Sequence, residues 1–249
     1  VIKKDRDSKT GRNFARQRRS TGNLTQRTDR KETFSMRYDG RNDIASSDPT
    51  IHDDLILADH DKMWSQTSKV KDFNSTLIEF WQLRLRLARK MIRIFALALD
   101  LPEDYFDAIT THPGADAVFI HYPGITKEKR DNVDVGLGAH TDIQCLTLLW
   151  QDMSGGLQVL SSENEWLDAA PIEGTLVVNI GDLLQRLSNN RFKSTVHRVY
   201  NRQTASRFAM PFFLGFNPEA VCSVVPTCID EDHPALYPPI SAGEVSGIE

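Results

Sequence analysis

Hydrophobic and polar positions change rhythm twice along this chain. Between Asp72 and Leu99, the residues Leu77, Trp81, Leu85, Ala88, Ile92, Phe95 and Leu99 recur every three or four positions. That spacing predicts one amphipathic helix with an apolar stripe. Glu79, Arg86, Arg89, Lys90 and Arg93 fall opposite and are expected to form its solvated face. Pro102-Glu103-Asp104 is expected to open a short second helix, proline being suited to a first turn. After Ala115 the pattern shortens into apolar runs separated by Gly, Pro, Asn and Asp. Runs 117–122, 145–150, 157–160, 175–180, 195–200 and 208–214 read as strands. Several short strands at this spacing predict a sandwich or jelly roll rather than a parallel sheet. Residues 1–50 are polar and poorly periodic, and no strand is expected among them. The chain therefore divides, within one domain, into a polar front (1–50), a helical segment supporting the core (51–114) and a β-core (115–249).

Composition narrows the function classes. A chain of 249 residues, 40% hydrophobic and 26% charged, is ordinary globular material for one sizeable core. A net charge of −4 argues against a general nucleic-acid binder. The charge is uneven, with eleven Lys or Arg against three Asp in residues 1–31. Such a stretch reads as a solvated or disordered arm, with a phosphate- or polyanion-binding tail as the sharper alternative. The first residue is Val1, which suggests a truncated sequence. Cys145, Cys222 and Cys228 are odd in number and lack a CxxC pattern, as expected of reduced thiols in a cytoplasmic protein. No apolar run reaches the ~18–20 residues that cross a bilayer.

The chemistry concentrates in the β part. His140-Thr141-Asp142 sets an imidazole and a carboxylate two residues apart, so a strand end projects both to one side. His197 lies inside a later β-run and can complete a two-histidine, one-carboxylate triad. Such a set suits iron(II) and leaves three of six octahedral positions open. Cys145 is nearby, but a single thiol does not make a structural zinc site. A zinc hydrolase on the same ligands would need a general base that the sequence does not offer. The other histidines (His52, His60, His112, His121 and His233) read as core or surface residues, His121 being expected nearest the site.

Ordered blocks around these residues resemble the Fe(II)/2-oxoglutarate-dependent oxygenase superfamily, in the branch similar to isopenicillin N synthase and fungal thymine hydroxylase. They are Phe119-Ile120-His121-Tyr122-Pro123, Ala139-His140-Thr141-Asp142, residues 146–152, Gly155-Gly156-Leu157-Gln158-Val159, residues 179–185, residues 194–199 and residues 207–213. A weaker block is Asp29-Arg30-Lys31-Glu32-Thr33-Phe34. The resemblance implies a mainly β fold with flanking helices: a double-stranded β-helix (jelly roll) core packed on a long central helix. It implies His140, Asp142 and His197 as iron ligands and Arg207 as the partner of the distal carboxylate of 2-oxoglutarate, helped by Tyr122. A guanidinium supplies the planar fork such a carboxylate needs. Arg198 and Arg202 are expected to be surface charges. Phe119, Trp150, Phe212 and Leu214 are expected in the core, a pocket lining being their alternative.

Two departures stand out. The family has Arg-x-Ser where this chain has Ala209, a lost hydroxyl worth about 1.5–3 kcal/mol if nothing replaces it. The strands that extend the major sheet in the family are not evident before residue 50. The implied activity is a non-heme iron oxygenase using 2-oxoglutarate and dioxygen to oxidise a small organic substrate by hydroxylation, desaturation or ring rearrangement. The alternatives are an iron oxidase that does not use 2-oxoglutarate and a catalytically idle binding module. Substrate identity and oligomeric state stay open at this level.

Overall fold

The computed structural model describes residues 31–45, 54–125, 136–200 and 203–245. The basic arm of residues 1–30, His52 and Arg202 lie outside the described residues. Strand β1 (Glu32–Met36) is followed by α1 (Asp54–Thr67), α2 (Phe73–Ala98), β2 (Ala115–Tyr122) and β3 (Leu137–His140). Then come β4 (Leu146–Gln151), β5 (Leu157–Leu160), β6 (Trp166–Asp168), β7 (Val177–Ile180) and the short α3 (Asp182–Leu187). The chain continues through β8 (His197–Val199), β9 (Arg207–Leu214), β10 (Val221–Cys222) and β11 (Ile240–Ser241). The element composition is mainly β with few helices. Among the described residues no helix is long and apolar enough to cross a membrane.

The strands build two antiparallel sheets, ordered β1-β2-β9-β4-β7 and β3-β8-β5-β6, with β10 and β11 as a separate pair. From β2 to β9 the chain passes back and forth between the two sheets, which is the winding of a jelly roll. Ile120, Tyr122, Leu157, Val199 and Ala209 pack between the sheets with Val118, Leu137, Leu149 and Val177. The opposite face of the larger sheet offers Ala115, Ala117, Leu146, Leu148, Phe212 and Leu214 to the helices. With both faces covered, β4 reads as an almost continuous apolar run rather than an alternating one.

Helix α2 matches the predicted stripe closely. Leu77, Trp81, Leu85, Ala88, Ile92 and Ala96 are its buried residues, and Trp81 meets Phe212 of β9 edge-on at 6.3 Å. Arg89 corrects the expectation of a wholly solvated opposite face. It grips Asp43 with two hydrogen bonds of 2.8 and 2.7 Å and donates to the carbonyls of Thr110 and Thr111. The guanidinium thus ties α2 to the loop after β1 and to the one before β2.

Two further expectations are corrected. The segment after Pro102 is a chain of three-residue turns ending in a 3-10 turn at Asp107–Ile109, not an α-helix. Its bonds run Tyr105 to Pro102, Asp107 to Asp104 and Ile109 to Phe106, pinned by the buried Phe106 stacked on Phe216. A strand does exist before residue 50: β1 pairs antiparallel with β2 and extends the larger sheet, Phe34 lying opposite Phe119. Its sequence ETFSM is mostly exposed, as an edge strand allows, so only Phe34 and Met36 carry the period-two signal.

Candidate metal centre

His140 and His197 are cross-strand partners on β3 and β8, with ring centroids 4.3 Å apart. Asp142 reaches the same point from just beyond β3. Its Oδ1 lies 3.9 Å from His140 Nε2 and 3.6 Å from His197 Nε2, and all three donor atoms fall within 4.8 Å of one another. Cis donors on an octahedral ion at ~2.1 Å lie ~3 Å apart, so small side-chain rotations would close this set onto a metal.

The surroundings fix which atoms face inward. His140 Nδ1 is 2.8 Å from the Gly138 carbonyl and His197 Nδ1 is 3.0 Å from that of Thr195. Each Nδ1 therefore carries the proton, and each Nε2 keeps its lone pair for the shared space. Burial, reinforced by His197, pushes His140 below its ordinary 6.5, which favours the neutral form a ligand needs. Asp142 Oδ2 accepts from Thr147 Oγ1 at 2.6 Å and Asn179 Nδ2 at 2.7 Å. Only Oδ1 remains for a metal, so the carboxylate is set to bind through one oxygen. The segment is held from below as well: Asp182 N donates to the Asp142 carbonyl at 2.7 Å. A Cβ at Gly181 would collide with the Gln144 carbonyl, so glycine alone permits this approach. The side chains of His140, His197 and Asp142 are 25%, 13% and 7% exposed, which leaves the donors reachable from one side.

Arg207, at 1% exposure, stands at the inner end of β9. Its Nε donates to the Gly155 carbonyl at 2.6 Å and its Nη2 to Gln151 Oε1 at 3.0 Å. Nη1 is buried and has no hydrogen-bond partner among the described residues. A buried cationic donor left unpaired is costly, so this atom is suited to receive an anion. Burial lowers the guanidinium from its usual 12.5, while Tyr122 and Asp152 oppose that shift. Tyr122 is fully buried with its ring centroid 5.1 Å from Arg207 Cζ. Arg207 Cδ lies against Gly156, which pairs with Tyr200. Three strand residues, roughly 10 Å, separate Tyr200 from His197. A five-carbon diacid chelated at one end and salt-bridged at the other spans a similar length.

Ala209 faces the same interior, directly across from Gln151. Gln151 does not substitute for the missing hydroxyl, because its oxygen serves Arg207 and its Nε2 donates to the Ala169 carbonyl at 3.1 Å. Other sequence candidates fall elsewhere. His121 is corrected to the outer face of β2, stacked on Phe208 and bonded to Glu32 and Ser206. His60 is buried against Asp39, His112 bonds Glu219, and His233 bonds Asp230. Arg198 is half-buried, lying over the Trp166 and Tyr200 rings and bonded to Gln158. Phe119, Phe212 and Leu214 pack on the helical side of the sheet, and Trp150 shares that face by alternation. Sequence reasoning missed Thr147, Asn179 and Gln151. The available signal was a polar residue inside an apolar strand, which must find a partner once buried.

The model of the 2OG-Fe(II) oxygenase superfamily matches residues 114–216. A full-length Neurospora crassa protein, solved in complex with alpha-KG and 5-formyluracil, superposes with a TM-score of 0.72 at 30% identity, over 87% of this chain and 67% of that one. This chain belongs to the 2OG-Fe(II) oxygenase superfamily. Among curated members of that superfamily, it is 38% identical over 223 residues to the 2-oxoglutarate-Fe(II) type oxidoreductase ppzC of Metarhizium majus, which covers 84% of this chain and 58% of ppzC. It is 39% identical over 176 residues to the oxidoreductase hxnY of Emericella nidulans, covering 70% of this chain and 50% of hxnY. The chain thus spans 50–58% of the length of these curated relatives. Membership agrees with the donor chemistry: the superfamily uses iron(II), 2-oxoglutarate and dioxygen, and His140, Asp142 and His197 form a set able to hold iron.

Proposed function

We propose that the chain is the core of a dioxygenase that couples oxidative decarboxylation of 2-oxoglutarate to oxidation of a small organic molecule, with α2 as the central support of its jelly roll. When bound, iron(II), 2-oxoglutarate and dioxygen supply the redox chemistry, releasing succinate and carbon dioxide. The chain's own residues bind and orient. His140 and His197 offer Nε2, and Asp142 offers Oδ1 because Thr147 and Asn179 retain Oδ2. Arg207, steadied by Gln151 and the Gly155 carbonyl, receives the distal carboxylate beside Tyr122. The apolar residues between the sheets keep water from that carboxylate and strengthen its pairing. The three cysteines are free and buried, which accords with a reducing compartment such as the cytoplasm.

The observation that carries this reading is the unpaired Arg207 Nη1, a buried donor for a second anion beyond the donor set. Ala209 favours a second reading, an iron oxidase without 2-oxoglutarate. Anaerobic titration of the iron(II)-loaded protein with 2-oxoglutarate separates the two. The visible charge-transfer band of the chelate is expected, and is expected to vanish in Arg207→Ala while iron stays bound. Iron binding without a band would favour the oxidase.

A further inference from the structure

The interior face of the larger sheet carries one acidic group outside the site described above. On β2, Val118, Ile120 and Tyr122 belong to the cluster between the sheets, while Ala115 and Ala117 face the helices. By alternation Asp116 faces the interior. It stands opposite Phe213, which stands opposite Thr147, the residue that holds Asp142. Two strand spacings, roughly 10 Å, therefore separate Asp116 from Thr147, the neighbour of the candidate metal centre, in one row of side chains. Phe213, half-buried, stands between them in that row, so a single-ring molecule reaching both would lie over its ring.

Asp116 has company. Gln144 Nε2 lies 3.5 Å from Asp116 Oδ2, and Gln144 Oε1 is buried without a hydrogen-bond partner among the described residues. Gln144 is also two residues from Asp142, so the amide is tied to the same loop as the candidate ligand. Burial raises the Asp116 carboxyl to about 6, against the pull of Arg37. Near neutral pH the pair therefore presents two kinds of acceptor, a carboxylate oxygen and an amide oxygen. The charge of Arg37 disfavours an ammonium group at the same spot.

We propose that Asp116 and Gln144 form a substrate-recognition pair that selects a neutral small molecule carrying N–H donors, such as a cyclic amide or imide. The proposal rests on the oxygenase reading, because it places the ring next to the iron-facing side of the triad. A structural pair that merely closes one end of the sheets would show no such preference. N-methylation of the ligand removes the donors and leaves both acceptors unsatisfied, a mismatch that a hydrogen-bonding site rejects strongly.

The test uses the whole chain loaded with zinc(II), a redox-inert stand-in for iron, and with 2-oxoglutarate. Uracil and 2-pyrrolidinone are compared with their N-methylated forms by saturation-transfer NMR. Calorimetry measures 2-oxoglutarate affinity in the same samples. The N–H compounds are expected to bind at least about tenfold more tightly than the methylated ones. Gln144→Met is expected to erase that preference, and Asp116→Asn to weaken it, with 2-oxoglutarate affinity unchanged. Equal binding of both members of each pair, no binding of either N–H compound, or a preference that survives both variants would overturn the proposal while normal 2-oxoglutarate binding left the oxygenase reading standing. A Gln144-dependent preference in a protein that does not bind 2-oxoglutarate would uphold the recognition pair and sink the oxygenase reading.

Discussion

Thr147 and Asn179 show how two neutral side chains decide what a carboxylate can do. By occupying Asp142 Oδ2 they leave one oxygen free and fix its direction. Thr147→Val is expected to weaken iron affinity about 10- to 100-fold, with Thr147→Ser restoring most of it, as measured by competition with a chelator dye. Ala209→Ser returns a hydroxyl to the interior beside Arg207, and should tighten 2-oxoglutarate about tenfold without changing iron affinity. Asp116 makes stability depend on pH. Its folded-state value of about 6 lies above the ordinary 3.8, so its contribution to stability is full below about 3.8 and is lost as pH rises through about 6. Urea denaturation of Asp116→Asn at pH 4, 5 and 7 should show a gain over wild type that grows with pH. His140, Asp142, His197 and Arg207 stood out in the sequence because they belong to blocks with a chemical signature. Thr147, Asn179, Gln151 and Asp116 did not, because their importance depends on which face of a strand they occupy and what stands across from it.

At the level of elements, what could be read depended on how much apolar surface each one buries. Helix α2 spells out its buried stripe over seven turns, and strands covered on both faces appear as unbroken apolar runs. By contrast β3, with the sequence LGAH, and β6, with WLD, are too short and polar to announce themselves. The edge strand β1 was missed for the same reason. Phe119, Trp150 and Phe212 were legible as apolar but not as facing the helices, because register is a property of pairs of strands. Trp81 is the hinge pin of helix-to-sheet packing, buried and touching Phe212. Trp81→Ala is expected to cost about 3–5 kcal/mol, read as a lowered urea midpoint. Trp81→Phe should cost less, since the indole N–H has no hydrogen-bond partner among the described residues.

For the molecule as a whole, the donor set bridges the two layers. His140 and His197 belong to the smaller sheet, while Asp142 is anchored through Thr147 and Asn179 to β4 and β7 of the larger one. A bound metal therefore staples one sheet to the other. At a free metal concentration of 100 times the dissociation constant, binding adds about 2.7 kcal/mol to stability. Removing the metal with a chelator should lower the melting temperature by roughly 5–10 °C, at about 2–4 °C per kcal/mol for a chain of this size. A triad variant that still folds should show no such drop.

The strand order also governs when the site comes into being. β8 lies between β3 and β5, and β9 between β2 and β4, so the last two strands of the roll are inserted between strands made earlier. As the chain leaves the ribosome, His140 and Asp142 emerge without a third ligand, and a pair of donors holds a divalent metal only weakly. The grip tightens once β8 has been threaded, and Arg207 arrives later still with β9. Such long-range closure is slow. A metal that needs all three donors would thereby meet its full set only after the walls of the roll have been built.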